Sequence, residues 1–201
     1  GWGYSRFTHE ANGIALDLLQ YVPLDDPLKI SRLTLRNRSG RTRRLAVTAY
    51  AEWVLGTSRE ASAPFIVTAI DATSGAMLAR RPWGVGFPGR VAFADLGGRQ
   101  TAWTGDRAEF LGRHGALGAP AALLRDEPLS GATGAGLDPC AALQCVVELE
   151  AGESIEVAML LGQGACEEAS KALIARYRAA DLDAVQADVT AYWVRTLGAV
   201  H

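Results

Sequence analysis

Alternation of apolar and polar positions dominates the first 160 or so residues. Leu45, Val47, Ala49, Ala51, Trp53 and Leu55 share one parity while Thr48, Tyr50 and Glu52 take the other, so an extended chain sets the apolar group on one face of a sheet. That predicts a long strand with Trp53 in the core. Before it, Leu33 and Leu35 alternate with Arg32, Thr34 and Arg36, and Ser39-Gly40 supplies turn residues, so the two runs read as an antiparallel hairpin. Leu28 and Ile30 have the opposite parity to Leu33 and Leu35, which predicts a bulge near Ser31. Further strands are expected over 65–72, 76–81, 90–96, 142–150 and 155–161, with turns at Thr73-Ser74-Gly75 and Ala151-Gly152-Glu153. In the last two strands, Leu143, Cys145, Val147 and Leu149, and then Ile155, Val157, Met159 and Leu161, each fall on one face. Two apolar faces that need covering are the condition for a sandwich.

The period changes at Gly164. Residues 165–178 and 182–197 read as helices, the second with Leu182, Val185, Val189, Trp193 and Leu197 at three- and four-residue steps, which makes one apolar stripe in need of a partner. Between 112 and 138 the chain is rich in Gly, Ala and Pro with little periodicity, the composition of a long functional loop.

Composition narrows the function classes. The chain has 201 residues, 49% hydrophobic and 21% charged, enough for one globular core and far from a disordered composition. A formal net charge of −2 provides no basic footprint for nucleic acid, which is recognised by displacing counterions from phosphates. No apolar run approaches the length of about 18 residues that spans a bilayer, and the opening residues lack the basic and apolar regions of a secretory signal. Cys140, Cys145 and Cys166 are odd in number and lack C-x-x-C spacing, so they read as reduced, packed thiols rather than disulfides or a zinc site. No metal and no cofactor is expected.

Few residues carry chemistry in a recognisable pattern. Gly84-Val85-Gly86-Phe87-Pro88-Gly89 matches G-x-G-x-x-G, but Pro88 lies inside it and a strand-like run follows, so there is no helix N-terminus to hold a pyrophosphate. The Gly131–Gly136 run lacks the ending of a P-loop. Paired carboxylates for glycosidic chemistry would have to come from Glu10, Asp17, Asp25, Asp26, Glu52, Asp71, Asp106 and Glu109. Asp25-Asp26-Pro27 reads as a turn, and Asp106 reads as the N-cap of a helix with Glu109 at its third position. His9, His114 and His201 lack local ligand spacing, Ser5 lacks the second glycine of a nucleophile elbow, and Asn37-Arg38-Ser39 is an N-glycosylation triplet at the expected turn. Sugars stack their C–H faces on aromatic rings and need planar donors for their hydroxyls. Trp83 with Arg81, and Trp103 with Arg107, therefore form the candidate carbohydrate-binding set, against the alternative that these aromatics fill cores or interfaces.

The order of several local runs carries a family likeness along the whole chain. These are Gly1-Trp2-Gly3-Tyr4-Ser5-Arg6-Phe7, Asn12-Gly13-Ile14, Tyr21-Val22-Pro23-Leu24-Asp25-Asp26-Pro27, Leu33-Thr34-Leu35-Arg36-Asn37-Arg38, Tyr50-Ala51-Glu52-Trp53, Thr104-Gly105-Asp106-Arg107, Gly136-Leu137-Asp138-Pro139-Cys140 and Leu160-Leu161-Gly162-Gln163. In these runs the chain resembles the amino-terminal β-sandwich module of glycoside hydrolase family 94, nearest the version in cyclic β-1,2-glucan synthases. The resemblance implies a mainly β, antiparallel super-sandwich over 1–163, partial at its start, with two linker helices over 164–201. It implies an excised fragment of a larger enzyme whose catalytic acid and phosphate site lie in an (α/α)6 barrel, leaving a non-catalytic carbohydrate-binding and scaffolding role. The implied partners are a weakly held glucan or oligosaccharide, the protein's own (α/α)6 domain against the exposed half of the helix stripe around Trp193, and a second copy in a homodimer. The implied setting is the cytoplasmic side, in some relatives as part of an inner-membrane protein. The rival classes are an independent glycosidase or phosphorylase using two of the carboxylates, and a purely structural dimerisation module.

Overall fold

The computed structural model describes residues 2–83 and 87–199, and in it the alternating runs form two facing antiparallel sheets. The larger has seven strands in the spatial order β1 (Tyr4–Ala11), β2 (Ile14–Tyr21), β3 (Leu28–Asn37), β10 (Ser154–Gly164), β7 (Val91–Asp95), β6 (Met77–Arg80) and β5 (Val67–Ile70). The smaller orders β4 (Arg43–Glu52), β9 (Pro139–Leu149) and β8 (Ala102–Asp106). The mainly β, antiparallel class expected from the alternation is therefore the observed one. Between the sheets, Val47, Leu143, Cys145, Val147 and Leu149 face Leu35, Val157, Ala79 and Ala94, and Trp53 closes this core at 4% exposure.

Two local expectations are corrected. β3 and β4 do not form a hairpin, because β4 pairs with β9 in the opposite sheet and β3 pairs with β2 and β10. The connection is a corner between layers, held by the buried Asn37. Its amide nitrogen donates to the carbonyls of Arg41, Leu149 and Glu150 at 2.7–3.0 Å, and its oxygen accepts from Ser39 N at 2.9 Å. A hairpin and an inter-sheet corner use the same turn residues. Nor is there a bulge at Ser31, since β3 runs in unbroken register from Leu28 opposite Gly162 to Arg36 opposite Ser154. The parity switches because both faces of β3 are covered. Leu28 and Ile30 lie under helices on one side, while Leu33 and Leu35 lie between the sheets on the other.

The helices sit on the outer face of the larger sheet. α3 (Glu167–Ala179) and α4 (Leu182–Gly198) pack Ile174, Tyr177 and Val189 against Tyr21, Ile30, Leu78, Phe93 and Leu160, forming a second core. Asp181 caps α4 by accepting from Asp183 N and Ala184 N at 3.0 and 3.2 Å. Of the predicted stripe, Val189 is buried and Leu182 and Val185 are partly so, whereas Trp193 and Leu197 remain exposed. Trp193 crosses Gly3, whose φ of +82° requires glycine, as does the indole lying where a Cβ would stand.

The segment between 112 and 138 joins the sheet edges. Gly131 N donates to Trp103 O at 2.8 Å and Gly105 N to Ala132 O at 2.7 Å along β8, and Thr68 N donates to Gly134 O at 3.1 Å along β5. Leu129 and Ala122 from the same segment bury against Phe110, Leu111 and Cys140.

Candidate functional site

A cleft of about 440 Å³ opens where the chain leaves β4, and Val54, Leu55 and Gly56 form one wall. Arg81, just beyond β6, and Arg90, just before β7, line it together with Phe87 and with Gln163 from β10. Gly56 lets the backbone approach the guanidinium, since a Cβ there would lie 2.8 Å from Arg81 Nη1. Arg81 stands over the Phe65 ring and Arg90 over the Phe87 ring, each at 5.5 Å from the centroid, a geometry in which the ring face attracts the cation. Arg81 Nη1 donates only a long bond of 3.4 Å to Leu55 O, and Arg81 Nε is buried without an acceptor among the described residues. None of the described residues lining the cleft is acidic. Trp83, two residues past Arg81, is 72% exposed.

The four candidate carbohydrate contacts thus fall in two places. Arg81 lines the cleft, with Trp83 beyond it on the surface, while Trp103 and Arg107 lie on and just after β8 in the other sheet. Trp103 is partly buried against the main core, and its Nε1 donates to Gly131 O at 3.2 Å. Arg107 opens α2 (Arg107–Leu111) and donates through Nε to Glu52 Oε1 at 2.9 Å, with Nη1 3.5 Å from Asp138. Arg59, from α1 (Arg59–Ser62), pairs with the same two carboxylates, and Tyr50 donates its hydroxyl to Glu52 at 2.9 Å. Two cations and two anions balance there. Burial pushes the Glu52 carboxyl up, but the hydrogen bonds from Arg107 and Tyr50 outweigh it and hold the group below its usual range.

The other carboxylates with a possible catalytic role are also mostly engaged. Glu10 pairs with Arg38 at 2.7 Å, Asp17 with Arg6, and Asp26 with Arg176 at 2.9 Å and with the Tyr177 hydroxyl at 2.6 Å. Asp71 pairs with Lys171 at 2.8 Å. Asp106 caps α2 through Ala108 N at 2.9 Å, as its spacing predicts. Glu109 does not return to the cap. It accepts from Thr104 Oγ1 and Ser130 Oγ at 2.6 Å and from Ser130 N at 2.8 Å, so it anchors the long loop. Burial raises the Glu109 carboxyl, and these bonds outweigh that and leave it lowered.

The remaining candidates do not converge. His9 and Ser5 lie on the exposed strand β1 and His114 in an exposed loop, while His201 lies outside the described residues. Among the described residues no group of three His, Cys, Asp or Glu side chains is placed to hold a metal. Residues 84–86 of the glycine motif lie outside the described residues, and the element that follows is the strand β7 rather than a helix. Cys140 and Cys145 are buried and Cys166 is exposed, all as free thiols, with burial pushing Cys140 up to about 12. No described helix is long and apolar enough to cross a membrane. Sequence reasoning missed Phe87, Arg90 and Gly56 as parts of the cleft. The nearest signal is the run Phe87-Pro88-Gly89-Arg90, whose ring and cation are hidden by the overlapping match to a nucleotide motif.

Comparison with known proteins agrees with this architecture. Residues 1–180 match the sequence model of the glycosyl hydrolase 94 supersandwich domain. The chain is 36% identical over 200 residues to the cyclic beta-(1,2)-glucan synthase NdvB of Rhizobium meliloti strain 1021, a match that covers 100% of this chain and 7% of that protein. A polysaccharide lyase of known structure superposes with a TM-score of 0.51 at 9% identity, over 84% of this chain and 23% of the lyase, a likeness of fold alone. The chain spans a small fraction of the length of both. Its long family match and its facing antiparallel sheets show that it belongs to the glycosyl hydrolase 94 supersandwich-domain family.

Proposed function

We propose that this domain is the non-catalytic carbohydrate-binding and scaffolding module of a cyclic β-1,2-glucan synthase or cellobiose phosphorylase-like protein. One contrast carries the reading. Trp83 stands 72% exposed beyond the Arg81 cleft, while the carboxylates whose ionisation is displaced, Asp17, Glu52, Glu60, Asp71, Glu109 and Glu168, are all displaced downward. A ring with a free face suits a pyranose, whereas a general acid needs its carboxyl displaced upward so that it holds a proton. The name of the glucan synthase relative supports a β-1,2-linked glucan as the ligand class. The free thiols favour a reducing, cytoplasmic-side setting.

Titration of the domain with β-1,2- and β-1,4-linked gluco-oligosaccharides is expected to yield dissociation constants on the order of 0.1 mM or weaker, from a few stacking and hydrogen-bonding contacts. Trp83→Ala should abolish the accompanying tryptophan fluorescence change. No heat and no fluorescence change with either linkage up to about 10 mM, the range that weak stacking contacts reach, rules the glucan reading out.

A docking role is supported by a different surface. Trp193 and Tyr192 of α4 line an open groove with Tyr4, Val22 and Leu24, an apolar patch of the kind that receives a partner. We assign this face to the catalytic (α/α)6 domain of the parent protein, with a homodimer as the competing occupant. Light scattering of the isolated domain and of the domain joined to its parent's next segment separates the two.

A further inference from the structure

We propose that the Arg81–Arg90 cleft receives a saccharide bearing an oxyanion, a sugar-borne phosphate or carboxylate, in addition to whatever neutral glucan the surface takes. This rests on reading the surface as carbohydrate-binding. The observation behind it is an imbalance of charge. Several half-buried guanidinium groups elsewhere are matched by carboxylates, Arg32 with Glu156 and Asp183, Arg178 with Asp95, and Arg59 and Arg107 with Glu52 and Asp138, while Arg43 donates to the carbonyl of Asn12. Arg81 and Arg90 face one cleft, and neither has a carboxylate partner among the described residues. The nearby acid, Glu167, is already engaged by Arg80 at 3.3 Å and Lys171 at 2.7 Å, outside the lining.

Arg81 has donors to spare. A guanidinium carries five N–H groups in a planar fork that matches the two oxygens of a carboxylate or phosphate. Here one nitrogen has a single long bond and Nε has none among the described residues. A buried donor without an acceptor is uncommon and points to a missing partner. Phe65 beneath Arg81 and Gly56 beside it hold the fork in place, so little side-chain freedom is lost when an anion arrives. Phe87, 73% exposed under Arg90, offers a ring face to the sugar, and Val54 and Leu55 make the opposite wall apolar. An inorganic ion would use the two cations and leave the ring and the apolar wall without a ligand. A sugar bearing the anion uses all of them.

The test is an amide chemical-shift titration of the whole domain at constant ionic strength with glucose, neutral β-1,2-linked gluco-oligosaccharides, glucose 6-phosphate, glucuronate and inorganic phosphate. Both anionic sugars are expected to shift the amides of Leu55, Gly56 and Gln163 and to bind about tenfold tighter than glucose, the gain typical of a charge-assisted forked pair. Inorganic phosphate should bind more weakly than glucose 6-phosphate. Arg90→Gln, at an exposed position, should reduce the preference for charge about tenfold on the same reasoning, and Arg81→Lys, which keeps the charge without the fork, should reduce it with spectral dispersion unchanged. Trp83→Ala should leave the preference intact. Inorganic phosphate binding as tightly as glucose 6-phosphate overturns the saccharide assignment. Glucose and the neutral gluco-oligosaccharides binding as tightly as glucose 6-phosphate and glucuronate overturn the inference and leave the glucan reading standing. Binding of the anionic sugars with no binding of the neutral ones upholds the charged-saccharide site and removes the neutral glucan as a ligand.

Discussion

Trp53 shows how far a single residue can be read from its neighbours. Its parity with Leu45, Val47 and Leu55 predicts burial, and the side chain lies in the main core with its indole Nε1 enclosed and without an acceptor among the described residues. Trp53→Ala is expected to destabilise the domain by about 3–5 kcal/mol, the usual cost of removing a large buried aromatic. Trp53→Phe should cost distinctly less, because it also removes the unsatisfied N–H, whose burial opposes folding. Chemical denaturation checks both, and an alanine variant with an unchanged midpoint would place Trp53 outside the core. Other residues are legible only in type. Asn37 looks like a turn residue, yet its amide ties β3 to the end of β9 across more than 100 residues of sequence. Arg81 is recognisable as a cation near an exposed tryptophan. Its unfilled donors are not, because they depend on what Leu55, Phe65 and Gly56 place around it.

Elements are legible where one face is buried and obscured where both are. β4 and the part of β9 from Leu143 to Leu149 each have one apolar parity facing the main core, and their existence follows from it. β3 changes parity along its length because it lies between the smaller sheet and the helices, and β10 beside it keeps one apolar parity toward the first core, with Val157, while Leu160 on its other face joins the second. Period-two reasoning turns such a strand into a bulge. β1 and β2 escape the periodicity reading although Asn12-Gly13 links them with φ of 53° and 76°, the two-residue turn that most directly marks a hairpin. The two C-terminal helices are found to within about two residues, as expected for boundaries. What pins α3 is not visible in the sequence. Lys171 Nζ reaches Asp71 at 2.8 Å, and Ser74 donates to the same carboxylate through N at 2.8 Å and Oγ at 2.6 Å. The Lys171 and Ser74 hydrogen bonds depress the Asp71 pKa from 3.8 to about 2. A group whose folded pKa is depressed contributes its stability in full above the unfolded value and loses it as pH falls through the folded one. Lys171→Met should therefore lower stability at neutral pH, and that deficit should disappear as pH falls through about 2. A variant whose deficit is the same at neutral pH and in acid would show that the lysine acts by packing and not by charge.

At the scale of the whole molecule, local periodicity yields two apolar faces and two helices but not their assembly. Ala151-Gly152-Glu153 joins β9 in the smaller sheet to β10 in the larger, so neighbours in sequence lie in different layers. Strand order in such a fold is set by pairings distant in sequence, β10 with β3 and β4 with β9, which no local pattern encodes. The family likeness supplies that level instead. Its most consequential implication is the proposed non-catalytic role, and the ionisation of Glu52 and Glu109 supports that reading. Cleavage of a glycosidic bond needs one carboxyl that keeps its proton to give to the leaving oxygen, and a second group or phosphate on the other side of the sugar ring. Glu52 and Glu109 are both held below their usual range by cations and hydrogen-bond donors, and Asp106 is committed to capping α2. Glu52 and Glu109 are thereby stabilised in the charged form, the wrong state for an acid at neutral pH. Incubation with phosphate and β-1,2- or β-1,4-linked gluco-oligosaccharides should therefore release neither glucose 1-phosphate nor glucose above background, even at concentrations that saturate binding. Turnover that disappears in Asp106→Asn or Glu109→Gln, with the fold retained, would make this domain an enzyme in its own right and would displace the scaffold reading. Binding without turnover, abolished by Trp83→Ala, is the outcome expected of an exposed ring beside carboxylates held in the charged form.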